Sequence, residues 1–210
     1  MSRDLIPELS YEKIAAFDSA TLSTLSDALE NHGFFTVTNH GINDSLLDDS
    51  YDLAKKFFNL DNSIKATYSR PEHGGARGYT PFGKETALGE KVPDLKEFWH
   101  HGPKIDHTYD DRIKGNISVK EIDKFSPHFD TLFTSLNNVG MGVLSAIAEV
   151  LNLEKDFFNN WVIKGNSVLR LIHYPPVNDS SNLQRARAHE DINLITLLVG
   201  AEESGLEVLS

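Results

Sequence analysis

The hydrophobic pattern of this chain changes its period near residue 166, and this change limits the folds the chain can form. Before that point apolar residues recur three and four positions apart, as in Leu22, Leu25 and Leu29. This spacing is typical of amphipathic helices. After it, short runs of β-branched residues and leucines alternate with turn residues, as in Val168 to Tyr174. Helices followed by a run of strands predict an α+β fold.

Capping residues predict where the main helices begin. Asp18 or Ser19 caps a first helix that ends at Gly33, and Asn43 caps a second. Ser126-Pro127 starts a long third helix whose apolar stripe reaches Val150, and a shorter helix lies around Phe157 to Ile163. The predicted strands are Phe34–Thr38, Leu95–Trp99, Val168–Tyr174, Arg185–His189, Leu194–Val199 and Leu206–Leu209.

Residues 69–93 interrupt this pattern with five glycines and three prolines, which predicts a long loop. Long loops inside compact domains often bind ligands. The glycines match neither the phosphate-binding loop nor the dinucleotide spacing. We therefore expect one domain overall, with a helical region and glycine-rich loop over residues 1–165 and a strand-rich core beginning over residues 166–210.

Composition excludes several classes of site and partner. The chain of 210 residues has no cysteine, so histidines and carboxylates are its only strong metal ligands. Its net charge of −11 argues against nucleic acid or an anionic membrane surface as a partner. The N-terminus has no apolar signal core, and a cytoplasmic protein is the expectation.

The segment His189-Glu190-Asp191 lies on an extended stretch and suggests a metal site. Side chains two apart on a strand point to the same face, so this imidazole and carboxylate can hold one cation. They would supply two thirds of the facial 2-His-1-carboxylate arrangement of non-haem Fe(II) oxygenases. An edge histidine beside a turn aspartate would have the same pattern. The same spacing at His128-Phe129-Asp130 falls on a helix, where the two side chains diverge, and we interpret it as structural.

Several segments together resemble a known family. The chain is similar to the isopenicillin N synthase-like family of 2-oxoglutarate and Fe(II)-dependent oxygenases over nearly its whole length, with the segments in the family's order. The segments that carry the resemblance are residues 31–41 (NHGFFTVTNHG), 77–79 (RGY), 94–99 (DLKEFW), 171–175 (LIHYP), 188–191 (AHED), 194–198 (LITLL) and 205–208 (GLEV).

The resemblance implies a double-stranded β-helix, or jelly-roll, preceded by N-terminal helices. His189 and Asp191 take the positions of the first two metal ligands, and Tyr174 that of a tyrosine that binds the distal carboxylate of 2-oxoglutarate. The family's second metal-binding histidine and its arginine and serine for the co-substrate would fall beyond Ser210. A jelly-roll has about eight strands, and about four are predicted here. The expectation is a fragment or truncated form that lacks the C-terminal strands and is inactive alone.

The function that the resemblance implies is a dioxygenase that hydroxylates, desaturates or cyclises a small molecule and converts 2-oxoglutarate to succinate. Its cofactors would be Fe(II) and 2-oxoglutarate, and its partners O₂ and the small-molecule substrate. Arg77 and Phe98 are candidate substrate-binding residues, and Arg170 is a local candidate for binding a carboxylate. The alternative is a truncated, non-catalytic jelly-roll module with an incomplete metal site. A zinc-dependent hydrolase would need a further ligand and a general base.

Overall fold

A computed structural model describes residues 6–85, 93–176, 185–186, 188–200 and 207. The helices are α1 (Tyr11–Ala15), α2 (Ser19–Asn31), α3 (Asp44–Phe58), α4 (Asn62–Ala66), α5 (Phe125–Val150) and α6 (Asn159–Val162), with a short 3-10 turn at Pro71–His73. The strands are β1 (Glu8–Ser10), β2 (Thr36–Thr38), β3 (Gly78–Thr80), β4 (Glu97–His101) and β5 (Leu169–His173). Helices and sheets together confirm the α+β class.

The chain folds into two compact units. The first comprises Met1–Ile42, Leu136–Ile163 and Asn193–Ser210, and the second comprises Asn43–Ser135 and Lys164–Ile192. Helix α5 therefore contributes its first part to the second unit and its last part to the first.

In the first unit a small parallel sheet and α2 pack with the last part of α5. Strands β1 and β2 pair with Leu9 opposite Val37. The predicted cap of α2 is confirmed, since the carboxylate of Asp18 accepts from the backbone N–H of Thr21 at 3.0 Å. Gly33 ends the helix with a φ of +69°, a conformation in which glycine avoids the steric cost of a Cβ. The core consists of Leu9, Ile14, Leu25, Val143, Leu144, Ala146, Ile147, Ala148 and Phe158.

The second unit is built on an antiparallel sheet in the order β3-β4-β5. Trp99 lies opposite both Tyr79 and Leu171, and His100 lies opposite Gly78 and Arg170. The aromatic core centres on Phe57 of α3, whose ring contacts the rings of Phe58, Tyr68, Tyr79, Trp99 and Phe125. The predicted cap of α3 is also confirmed, because Asn43 Oδ1 accepts from the backbone N–H of Ser45 at 2.9 Å.

Helix α5 has 26 residues and is long and apolar enough to meet the length and composition of a membrane span. Core helices of globular proteins meet the same criteria. Here Phe125, Phe129 and Leu132 are buried in the second unit, and Val143 and Leu144 in the first. The apolar stripe of α5 thus serves as core in both units.

The strands differ from the prediction in several places, and β1 (Glu8–Ser10) was not predicted. Strand β4 begins at Glu97 rather than Leu95, and β3 lies within the segment predicted to be a loop. Among the described residues, Arg185–His189 and Leu194–Val199 form no strand. An extended backbone becomes a strand only where a neighbour completes its hydrogen-bond ladder, and periodicity reports nothing about neighbours. Most of Leu206–Leu209 lies outside the described residues.

Candidate active site

His189 and Asp191 lie close together in the second unit. Nε2 of His189 is 3.4 Å from Oδ1 of Asp191, and both side chains are about half exposed, at 57% and 47%. Two metal–ligand bonds of about 2.0–2.2 Å each can span this distance. The two side chains are therefore close enough to share one metal ion, although the two residues are not in the predicted strand.

The donor set of this pair fits Fe(II) at two of its three protein positions. Imidazole nitrogen suits iron, and one carboxylate with open positions is the arrangement that non-haem Fe(II) oxygenases use. Over the described residues, no group of three or more histidine, cysteine, aspartate or glutamate side chains could hold a metal ion. Within the described part of the chain, His189 and Asp191 therefore offer two ligand atoms of the kind that Fe(II) binds.

The second His-x-Asp copy shows how a helix separates such a pair. Nε2 of His128 lies 2.7 Å from Oγ of Ser50, while Oδ1 of Asp130 lies 2.7 Å from Nε2 of His101. The two side chains contact different partners, on α3 and β4. The structural interpretation of this copy is confirmed, because residues two apart diverge around a helix axis.

Strands β4 and β5 divide their side chains between two faces of the sheet. Glu97, Trp99 and His101 occupy the face that packs against the aromatic core, and Phe98 and His100 occupy the other. On β5, Arg170 and Ile172 lie opposite His100 and Phe98, on this second face. Tyr174 follows β5 directly, and alternation continued by one residue would put it on the same side as Arg170.

Phe98 does not present an open surface, because Arg170 covers it. The guanidinium carbon of Arg170 lies 4.5 Å from the centroid of the Phe98 ring, which is only 4% exposed. Nε of Arg170 donates to Nε2 of His100 at 2.7 Å, and the Nη groups face Glu85. The arrangement places an arginine, rather than the predicted phenylalanine, at the surface of this face.

Arg77 is buried rather than solvated in its loop. It is 1% exposed, and Nη1 donates to the carbonyl of Ala76 at 2.6 Å. Nε and Nη2 are buried without a hydrogen-bond partner among the described residues. A Cβ on Gly102 would lie 2.0 Å from Cζ of Arg77, so the guanidinium occupies space that only a glycine leaves free. Burial also lowers the pKa of Arg77.

Sequence reasoning missed the buried ion cluster around Glu97. Nζ of Lys65 lies 2.8 Å from Oε2 of Glu97, Nδ1 of His173 lies 2.8 Å from Oε1, and the hydroxyl of Tyr79 donates to Oε2. Burial alone would raise the pKa of Glu97, but the hydrogen bonds from Lys65, Tyr79 and His173 lower it. One carboxylate thus joins α4, β3, β4 and β5. The available signal was the alternation that puts Glu97 on the same side as Trp99.

A second missed cluster surrounds His101, which is fully buried. Besides its contact with Asp130, its Nε2 lies 3.0 Å from Nδ2 of Asn116. The Asn116 amide also donates to the carbonyl of Gly102 and accepts from its N–H. Burial is the largest influence on His101 and lowers its pKa. These contacts fix the end of β4 and the loop that follows it, which gives His101 a structural role.

The comparisons with known proteins identify the family. Residues 6–120 match the family described as "non-haem dioxygenase in morphine synthesis N-terminal". A crystal structure of a 2OG-Fe(II) oxygenase family protein from Caulobacter crescentus is 38% identical, with a TM-score of 0.74 over 85% of this chain and 59% of that one. A full-length protein of Neurospora crassa, solved in complex with alpha-KG, is 24% identical with a TM-score of 0.72 over 88% of this chain and 61% of that one, and supports the fold alone.

Curated relatives give the same family. The 2-oxoglutarate-dependent dioxygenase ucsF of an Acremonium species is 28% identical over 97% of this chain and 66% of its own length. The chain thus spans somewhat less than two thirds of the length of the relatives it matches. The family match covers more than half of the chain and agrees with the resemblance to isopenicillin N synthase-like oxygenases. The chain belongs to the non-haem, 2-oxoglutarate and Fe(II)-dependent dioxygenase family, with the family's N-terminal region at residues 6–120.

Proposed function

We propose that the protein is a 2-oxoglutarate and Fe(II)-dependent dioxygenase that oxidises a small organic molecule with O₂. The observation that carries the proposal is the 3.4 Å separation of His189 Nε2 and Asp191 Oδ1 in a chain of this family. These two atoms would hold Fe(II). Iron and 2-oxoglutarate, when bound, supply the oxidising chemistry, and the protein binds and orients the reactants.

Tyr174 would donate a hydrogen bond from its hydroxyl to the distal carboxylate of 2-oxoglutarate. Support for this role comes from its position after β5, where alternation directs it to the face of Arg170 and Ile172. We also propose that β5 begins a jelly-roll core, in line with the similarity to solved oxygenases. The reaction would be hydroxylation, desaturation or ring closure of the substrate.

Arg77 and Phe98 would act on the substrate side. Arg77 is suited to an anionic group because its Nε and Nη2 are buried without partners among the described residues. A buried cation whose donors lack partners is costly, and an anion that pairs with it recovers part of that cost. Phe98 would act through Arg170, whose guanidinium it supports at 4.5 Å.

Anaerobic Fe(II) binding to the full-length gene product tests the metal assignment. We expect one tight site in the wild type and a loss of about 100-fold or more in affinity in His189→Ala and Asp191→Ala, since even outer-shell partners contribute 10–100-fold. His128→Ala is the matched control, because it removes the histidine of the other His-x-Asp copy. Its iron affinity should equal that of the wild type.

Succinate formation from 2-oxoglutarate under air tests the reaction itself. We expect iron-dependent succinate release that His189→Ala abolishes and His128→Ala retains. Wild-type protein that binds no Fe(II) tightly and releases no succinate would contradict the proposal and favour the non-catalytic binding module.

A further inference from the structure

The guanidinium of Arg170 is held at its Nε by a hydrogen bond and at one face of its plane by an aromatic ring. Its Nε donates to Nε2 of His100, the residue directly opposite on β4, at 2.7 Å. Its plane lies over the ring of Phe98, with 4.5 Å between the guanidinium carbon and the ring centroid. Two constraints of this kind reduce the freedom of a long side chain before any ligand binds. The Nη edge remains for a partner.

His100 is a hydrogen-bond acceptor towards Arg170 because its other nitrogen is already in use. Nδ1 lies 2.6 Å from the carbonyl oxygen of Gly75, so the proton sits on Nδ1 and donates there. Burial lowers the pKa of His100 to about 4. The imidazole is therefore neutral at neutral pH and holds Arg170 without repelling it.

The Nη edge of Arg170 is only loosely paired with Glu85. Nη2 lies 3.2 Å from Oε1 and Nη1 lies 3.4 Å from Oε2, whereas charge-assisted hydrogen bonds are usually about 2.7–2.9 Å. The same carboxylate lies 2.7 Å from Nζ of Lys96, which in turn lies 3.0 Å from Asp94. Glu85 is thus bound mainly by Lys96, and moving away from Arg170 would leave its shorter contact intact.

Counted over the described residues of these ion pairs together with Arg77, three cations face two carboxylates in an otherwise acidic chain. The cations are Arg77, Lys96 and Arg170, and the carboxylates are Glu85 and Asp94. Arg77 is near enough to lower the pKa of His100 and has two unpaired nitrogens among the described residues. The whole chain, in contrast, has a net charge of −11. An incoming anion would balance this surplus.

We propose that Arg170 is the substrate-recognising residue, and that its Nη edge binds a carboxylate of a small-molecule substrate while Glu85 shifts onto Lys96. A planar guanidinium with both Nη groups available binds a carboxylate in bidentate geometry. The proposal rests on the proposed function, because Tyr174 connects this face of the sheet with the co-substrate. It assigns the substrate class as carboxylate-bearing small molecules and assigns Glu85 as the competing internal anion.

Equilibrium dialysis of radiolabelled benzoate tests the proposal, with benzamide as the neutral probe of the same shape. The full-length protein is dialysed under anaerobic conditions with Fe(II) and saturating 2-oxoglutarate, so that the co-substrate's own site is filled. We expect benzoate to bind at least 10-fold more tightly than benzamide. Arg170→Met should weaken benzoate binding at least 10-fold. Arg170→Lys retains the positive charge but lacks the two planar Nη groups, and it should weaken binding less.

Glu85→Gln tests whether Arg170 binds a substrate carboxylate or serves only in a structural ion pair with Glu85. It removes the competing carboxylate, and benzoate should therefore bind several-fold more tightly than to the wild type. Arg112→Met is the matched control, because the Arg112 side chain is 90% exposed and pairs with Asp110 in its own loop. It should leave benzoate binding unchanged.

Three outcomes would overturn the proposal: equal binding of benzoate and benzamide, an unchanged benzoate affinity in folded Arg170→Met, or weaker binding in Glu85→Gln. If Arg170→Met does not fold, the benzoate affinities of Glu85→Gln and Arg170→Lys test the proposal instead. Dialysis is repeated without iron and 2-oxoglutarate, so that the affinity for benzoate is also measured where no oxidation can occur. Succinate release without benzoate binding would refute the carboxylate subsite alone, and benzoate binding without iron affinity would refute the dioxygenase proposal alone.

Discussion

Lys65 and Glu97 form a buried ion pair across 32 residues of sequence, with 2.8 Å between Nζ and Oε2 and side chains only 4% and 5% exposed. Lys65 also donates to the carbonyl of Phe58, and Tyr79 and His173 contact the same carboxylate. The members of the cluster therefore depend on one another. Removing either charged member of the pair leaves the opposite charge buried without its partner.

Lys65→Met should destabilise the protein by about 3–5 kcal/mol, because it leaves the carboxylate of Glu97 buried without its cation. Chemical denaturation measures the loss as a change in the free energy of unfolding. Arg112→Met removes an exposed ion pair instead and should leave the free energy of unfolding nearly unchanged. Equal losses in the two variants would mean that burial does not govern the strength of the Lys65–Glu97 pair.

His100 should make stability depend on pH in the weakly acidic range. Burial lowers its pKa to about 4, while an unfolded histidine has a pKa of about 6.5. The unfolded state therefore binds the proton first, so this contribution is complete above about pH 6.5 and is lost as pH falls towards 4. The loss should reach about 3 kcal/mol.

His100→Gln should flatten the profile of unfolding free energy between pH 6.5 and 4. His107→Gln removes an exposed histidine and should preserve the wild-type slope. Parallel wild-type and His100→Gln profiles would show that the imidazole takes up its proton as readily in the folded state as in the unfolded one.

Gly78 and Gly83 both have a positive φ but differ in the space around them. A Cβ on Gly78 would lie 2.4 Å from the backbone oxygen of Tyr68, while a Cβ on Gly83 would meet nothing within 4 Å. Gly83→Ala should therefore cost only the conformational penalty of about 1–2 kcal/mol. Gly78→Ala should cost more than about 3 kcal/mol, because a backbone carbonyl must also move. Thermal denaturation compares the two, and equal costs would contradict the close approach at Gly78.

Tyr174→Phe tests the hydroxyl that we assign to 2-oxoglutarate. The loss of one hydrogen bond to a bound carboxylate corresponds to about 1.5–3 kcal/mol, so KM for 2-oxoglutarate should rise roughly 10-fold or more while kcat changes little. Steady-state succinate release measures both constants. Tyr109→Phe, in the loop between β4 and α5, should match the wild type. An unchanged KM for 2-oxoglutarate in Tyr174→Phe would show that the Tyr174 hydroxyl does not bind the co-substrate.

The sequence predicted the features whose causes lie within a few residues. Asp18 and Asn43 cap their helices by accepting from backbone N–H groups two or three positions away. The helical period predicted α5, and alternation predicted β5. The proximity of His189 and Asp191 was predicted from the alternation of side chains on an extended backbone. The spacing alone does not ensure it, because the helix separates the side chains of His128 and Asp130.

Only the tertiary structure decided which distant side chains share a buried space. The spacing of residues gave no sign that Arg77 lies beneath Gly102, or that Arg170 rests on Phe98. The structure also begins β4 two residues later than predicted and forms β3 inside a glycine-rich segment. Caps and periodicity act through local geometry, which each short segment carries by itself. Pairs such as Lys65 with Glu97 depend on which elements pack together, and that is determined by the free energy of the whole folded chain.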